Sequence, residues 1–198
     1  MRFSLQEFPL NALKHISFAE IADQACALYN EEHDELLLGM FGQEYVVKHD
    51  GVLLRGQKAP DAHADVVIGY LQASGVKPVL TPWRSIRDFS EVPIPEFRET
   101  VEMPLLHAAR DIISRANVLL PMVEASVSSS LVNSDLAFTV RALPNVYLHV
   151  ELSRESQEFP AEAWVLYSNN AAAFLTVQKL LTLAVLFKDR LLGLARIY

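Results

Sequence analysis

Between Leu136 and Ser168 the chain reads LAFTVRALPNVYLHVELSRESQEFPAEAWVLYS, and no other stretch restricts the fold as strongly. Leu136, Phe138, Val140 and Ala142 occupy alternate positions. Val146, Leu148, Val150 and Leu152 then alternate with Tyr147, His149, Glu151 and Ser153. A period of two sends successive side chains to opposite sides of a strand, so each run supplies one apolar sheet face. Pro144-Asn145 divides the first two runs, and Ser153 to Pro160 divides the second from Ala161 to Tyr167. Three consecutive antiparallel strands follow from that punctuation. They describe a core and not a catalytic motif.

The flanking segments complete an α+β reading. After a turn at Ser168-Asn169-Asn170, Leu175 to about Ala195 predicts the longest helix, with Val177, Leu180, Leu181, Ala184, Val185, Phe187, Leu191, Leu192 and Ala195 apolar. That set covers more than one stripe, so the helix either lies between layers or spends its spare face on a second copy, and a homodimer is the expectation. Upstream, Ser17 and Glu20 have capping-box spacing and open a helix whose face carries Phe18, Ile21, Ala22, Ala25, Leu28 and Tyr29. Cys26 beside it reads as a small buried hydrophobe. Asp50-Gly51 between Glu44–His49 and Val52–Leu54 predicts a two-residue hairpin. Asp61 to about Ala73 predicts a second helix burying Val66, Val67, Tyr70 and Leu71. Pro104 opens another, with Leu105, Ala108, Ala109, Ile112 and Ile113 inward. Residues 117–133 have no legible pattern. The expected fold is a mainly antiparallel sheet of about five or six strands with helices packed on one side. It forms one domain over residues 1–198, with a helix and hairpin lobe at about 17–75, an irregular loop at 78–95, and the C-terminal meander and helix at about 134–196.

Charge and composition narrow the partners. Seventeen basic against 24 acidic residues leave a net charge of −7, which repels phosphate backbones and anionic lipid, so neither nucleic acid nor a membrane is expected. Lys179, Lys188, Asp189 and Arg190 interrupt the most apolar segment before it reaches the roughly 18–20 residues that span a bilayer. The start, MRFSLQEFPL, lacks the apolar centre of a signal peptide, and the cytoplasm is the expected compartment. A single cysteine cannot hold a cluster or a zinc ion alone. His63 and Asp65, at i and i+2 of a helix, point apart. His107 and Asp111 are one turn apart but lack a further ligand. No metal or cofactor is expected.

Two sets of residues are candidates for function. WRSIRDF, Trp83 to Phe89, is the densest cluster of recognition-type side chains, since tryptophan and arginine dominate binding hot spots and paired guanidinium groups clamp carboxylate or phosphate. Trp83, Arg84 and Arg87, with Glu158, are the predicted ligand-binding residues, in a groove between the sheet and this loop that would hold an anionic ligand or a partner protein. Trp83 and Phe89 could equally plug the loop onto the core while Arg84, Arg87 and Asp88 pair locally. The chain has no glycine-rich phosphate loop, metal constellation or nucleophile-base pair legible in one dimension, which favours a non-catalytic accessory or binding role. The alternative is a small-molecule hydrolase assembled only by folding from Glu158, Asp135, His149 and His107. Ser128 to Ser130 lack the glycines of a nucleophile elbow and a histidine in view, and read as a loop.

GQEYVV before a hairpin, YLQASG at a helix end, PWRSIRDF, ALPNVYLHVEL, QEFPAEAWVLY and AAAFLTVQKL together resemble the family known as domain of unknown function 3786, over about four fifths of the chain. The Glu158-Phe159-Pro160-Ala161 segment is its most specific part. Where the family has an acidic pair before Glu-Phe-Pro and an aspartate after the following strand, this chain has Ser156-Gln157 and Ser168-Asn169. The resemblance implies no activity. Through members fused to or beside a four-cysteine iron–sulfur domain, it implies a link to anaerobic metal or redox metabolism, with any cluster held by a partner protein. On physical grounds, Pro160 at the head of a strand sacrifices no ladder hydrogen bond and sets the strand's entry.

Overall fold

The structure, a computed structural model, describes residues 13, 17–73, 77–89, 94–155 and 160–197. A short helix α1 (Phe18–Ala25) precedes five strands that follow one another in space as in sequence: β1 (Leu28–Asn30), β2 (Glu35–Met40), β3 (Gln43–Lys48), β4 (Gly51–Leu54) and β5 (Gln57–Lys58). All neighbours are antiparallel. The chain then forms α2 (Asp61–Leu71) and a two-residue strand β6 (Arg84–Ser85). A helical run follows: α3 (Ile94–Phe97), a π turn (Arg98–Glu102), α4 (Met103–His107), α5 (Ala109–Ser114) and α6 (Ala116–Leu119). The second sheet adds β7 (Ala125–Val127), β8 (Leu136–Leu143), β9 (Val146–Ser153) and β10 (Glu162–Tyr167), in the spatial order β6-β10-β9-β8-β7. The long helix α7 (Val177–Ile197) ends the described chain. The α+β class is as expected, with the strands divided between two five-stranded sheets.

Register turns the period-two pattern into a continuous apolar face. Phe138 lies opposite Val150 and Val150 opposite Val165, while Val140, Leu148 and Tyr167 form the next row. Residues directly opposite on neighbouring strands share a face, so these rows make one buried surface. The tight turn at Pro144-Asn145 joins β8 to β9, where Leu143 meets Val146 and a bulge at Ala142 absorbs one extra residue.

Helix α7 is buried between the layers, which explains why its apolar residues exceed one stripe. Phe187 has its ring centroid 5.7 Å from Phe41, in the β2–β3 turn of the first sheet, and 6.4 Å from Phe138 on β8 of the second. Leu180, Leu183, Ala184, Leu186, Leu191 and Leu194 are buried alongside it. The Tyr167 hydroxyl donates to the Leu180 carbonyl at 3.1 Å, and Lys179 forms an ion pair with Asp65 of α2. The apolar breadth that suggested a homodimer is thus largely consumed within one chain.

Several local expectations are corrected. Helix α1 stops at Ala25 because Cys26 takes a left-handed conformation (φ 48°), its amide returning to the Ala22 and Asp23 carbonyls. Cys26 is therefore exposed, and Leu28 and Tyr29 belong to an edge strand, with Leu28 71% exposed. The β3–β4 hairpin forms, but its turn is His49-Asp50 and Gly51 already pairs with Lys48. His49 is fixed there by stacking on Phe18 at 4.2 Å and by hydrogen bonds to the Leu13 carbonyl and Asp34. The 78–95 loop supplies β6, paired to the end of β10. The helix expected from Pro104 begins earlier, at Ile94, and is broken into short pieces.

If Phe187 joins the two sheets, Phe187→Ala should destabilise the protein by about 3–5 kcal/mol in denaturant unfolding, the range for a fully buried phenylalanine. A loss under about 1 kcal/mol would show that the layers hold together without it.

Candidate functional site

The face of the second sheet turned away from α7 carries the chemistry. On β9, His149 and Glu151 are two residues apart, which on a strand places them on one side. Both are only 1% exposed. A buried carboxylate requires donors, and the loop after β7 supplies them. Ser130 Oγ donates to Oε2 at 2.5 Å and the Leu131 amide to Oε1 at 2.7 Å, while His149 Nε2 lies 3.0 Å from Oε1. Ser130 Oγ in turn accepts from the amides of Val132 and Ser134 and from the Ser134 hydroxyl. Burial alone would raise the Glu151 carboxyl, but Ser130, Leu131, His149 and Ser134 outweigh it and hold the group at about 2.

An ionised carboxylate can only accept, so Nε2 of His149 carries the proton and, in the neutral ring, Nδ1 is the acceptor. Nδ1 lies 3.4 Å from Ser128 Oγ. Ser128 is half-buried, and its amide donates to the Ala137 carbonyl of β8 at 2.9 Å, continuing the β7–β8 pairing by one residue. Trp83 closes over the imidazole, with ring centroids 5.1 Å apart and planes at 26°. Serine, histidine and glutamate are therefore hydrogen-bonded in series beneath an indole.

A cleft opens at the free part of the β10 edge. Strand β6 covers only Leu166 and Tyr167 of β10, leaving the first part of that edge to the helical run. There the π turn brings Arg98 and Glu102 beside Arg87, and these line a cavity of about 100 Å³ with Met103, Leu106 and Trp164. Desolvation raises the Glu102 carboxyl, against the lowering influence of the Val165 amide and of the Arg87 and Arg98 charges. The Trp164 indole N–H donates to Glu162 at 3.2 Å. Glu162 also lines this cleft, so it carries two arginines and two glutamates; a wider groove of about 320 Å³ between β2–β3 and β8 carries one arginine, Arg141, with Glu44 and Glu124.

Folding separates the residues expected to bind together. Trp83 lies on His149, Arg84 pairs with Asp88 at 3.8 Å, and Arg87 alone lines the cleft. Asp88 and Ser85 form a reciprocal capping box on the turn Ile86–Asp88, and Phe89 packs edge-on against Tyr167. Glu158 lies outside the described residues, although Ala161, at the end of its segment, is part of the cleft wall. Of the enzyme quartet, Asp135 is bonded to Arg154 at 2.9 Å and His107 is exposed at the end of α4, while Asp111 on α5 pairs with Arg115. His149 does have an acid partner, Glu151, which was not singled out, and a serine, Ser128, which was read as part of a loop with no histidine in view. The available signal was two titratable residues at i and i+2 inside a strand pattern. Among the described residues no group of three or more His, Cys, Asp or Glu could hold a metal ion.

The Glu151 carboxyl sits below its ordinary value of 4.5 in the folded state, so its contribution to stability is present above that value and disappears as pH falls toward 2. Wild type should therefore lose melting temperature between about pH 5 and pH 3, and Glu151→Gln should be less stable at neutral pH and lack that part of the acid dependence. Parallel acid profiles for the two proteins would show that Glu151 is not anchored as described.

No curated protein and no solved structure matches the chain at a significant level. The family model described as Domain of unknown function (DUF3786) matches residues 17–190 of the 198. That span includes both sheets, the Trp83 loop, the cleft and most of α7, and by it the chain belongs to the DUF3786 family.

Proposed function

We propose that the protein is a binding module for a small organic acid, held in the cleft beside the edge of β10. The observation that carries this reading is the convergence of Arg87 and Arg98 on one concave site with the apolar walls of Trp164, Met103 and Leu106. Guanidinium groups match a carboxylate or phosphate in geometry as well as charge, and the apolar walls suit a compact carbon frame. A volume near 100 Å³ is well below the roughly 300–1,000 Å³ of pockets for drug-sized ligands, which favours a short acid over a nucleotide. The net charge of −7 points the same way, since only a local pair of arginines offsets a repulsive field.

Glu102 sets a pH dependence. Its raised carboxyl becomes neutral before an ordinary glutamate does, and protonation removes one of the two negative charges, Glu102 and Glu162, that line the cleft. Titration calorimetry with short-chain carboxylates and their phosphate counterparts should detect saturable binding that tightens as falling pH neutralises Glu102, with that pH effect lost in Glu102→Gln. Arg87→Ala and Arg98→Ala should each weaken binding about tenfold or more at nearly unchanged melting temperature, as expected for one lost charge-assisted hydrogen bond. Equal affinity in the arginine variants, or no saturable binding across the panel, rejects the cleft as the site.

A further inference from the structure

The series Ser128, His149 and Glu151 shares no residue with the lining of the arginine cleft and does not rest on that reading. We propose that Ser128 is the nucleophile of an acyl-transfer site, with His149 as its general base and Glu151 as the residue that positions the imidazole, acting on esters of apolar acyl groups. Four observations converge on it. His149 Nε2 is committed to Glu151 at 3.0 Å, which leaves Nδ1 as the free acceptor, 3.4 Å from Ser128 Oγ. Catalytic hydrogen bonds in ligand-free structures are often this long and shorten when substrate binds. Glu151 is itself fixed by Ser130 and Leu131 of the loop that bears Ser128, so one carboxylate sets both the base and the segment carrying the nucleophile. Trp83 holds the plane of the ring. Finally, Val127, Leu131 and Val132, on either side of the serines, are 71%, 57% and 60% exposed, an apolar surface beside a half-buried hydroxyl.

Burial of the His149–Glu151 pair is also what a purely structural clamp on the 128–134 loop would show. Such a clamp, however, needs no serine at Nδ1, because Ser130 and Leu131 already satisfy the carboxylate. In the reaction the Ser128 O–H proton passes to His149 Nδ1 as Oγ bonds to the ester carbonyl carbon. Collapse breaks the bond to the leaving alcohol, which takes the proton from Nδ1. Water then adds to the acyl-serine by the same route, releasing the acid and restoring the hydroxyl. Glu151 compensates the imidazolium present between the two transfers.

The test uses the full chain and an alkyl fluorophosphonate, from which Ser Oγ displaces fluoride to give a stable adduct. Intact-mass analysis and peptide mapping should place one adduct on Ser128. Ser128→Ala should lose it, and Ser129→Ala, one residue along the same loop, should label at the wild-type rate. Among the described residues, Glu151 is the titratable group within hydrogen-bonding distance of the imidazole. In Glu151→Gln the labelling rate should fall at least tenfold, and Glu151→Asp, which keeps the anion, should recover part of it at a comparable melting temperature. A merely structural glutamate would give labelling that follows melting temperature alone. Should Glu151→Gln melt below the assay temperature, the wild-type, Ser128→Ala and Ser129→Ala comparison still decides. No adduct on wild type, an adduct elsewhere, or undiminished labelling of Ser128→Ala overturns the proposal.

Discussion

The contact on which the architecture rests is the burial of one phenylalanine from α7 between two sheets. Phe187 meets Phe41 on one side and Phe138 on the other, and without a side chain of that size the two meanders would share no common core there. Each sheet is a five-stranded antiparallel array that could face water on one side, so each needs an apolar partner for the other. A single helix serves both because its apolar positions extend around more than half of its circumference. The remaining attachments of α7, the Tyr167 hydroxyl to Leu180 and the ion pair of Lys179 with Asp65, set its height and rotation; Phe187 sets its depth.

Packing α7 against one face of the second sheet leaves the opposite face to be closed by loops, and loops bring polar atoms. This places a histidine and a glutamate of a central strand in a nearly dry environment. Isolated burial of an ionised carboxylate would be prohibitive, and the structure answers with donors drawn from the serine-rich segment after β7 and from His149. Trp83 reaches the same ring from the residue just before β6, whose pairing with the end of β10 places it there. The chemically distinctive part of the molecule is thus a consequence of how its second layer is covered.

The edge of β10 shows the same logic at smaller scale. A strand edge left half paired exposes amides, and a helical run lies against it, with Glu102 bonded to the Val165 amide. A π turn at Arg98–Glu102 alters the side-chain phase enough to bring Arg98 and Glu102 beside Arg87. Cleft and serine series lie at neighbouring places on one sheet. Trp164, in the wall of the cleft, is the cross-strand partner of Glu151, so a single row of the sheet connects them.

Local pattern determined the elements whose stability is local in origin. The alternation after Leu136 and the Pro144-Asn145 turn specified β8, β9 and β10, and the apolar excess of α7 announced a helix with two neighbours. Where a residue's conformation depends on distant contacts, the pattern misled. The left-handed Cys26 ends α1 early, and His49 is drawn into the hairpin turn by Phe18 and Asp34. The candidate sites were less legible still. Arg87 was identified, but Arg98 and Glu102 reach it through a π turn that no periodicity marks, while Trp83 lies on His149 and Arg84 pairs with Asp88. His149 was named without its partner. That His149 and Glu151 would share a side was contained in their spacing, since a strand repeats every two residues. That the side would be buried, and that Ser128 would meet the ring, was settled by a loop closing over the sheet from twenty residues away, a contact that only the folded chain can make.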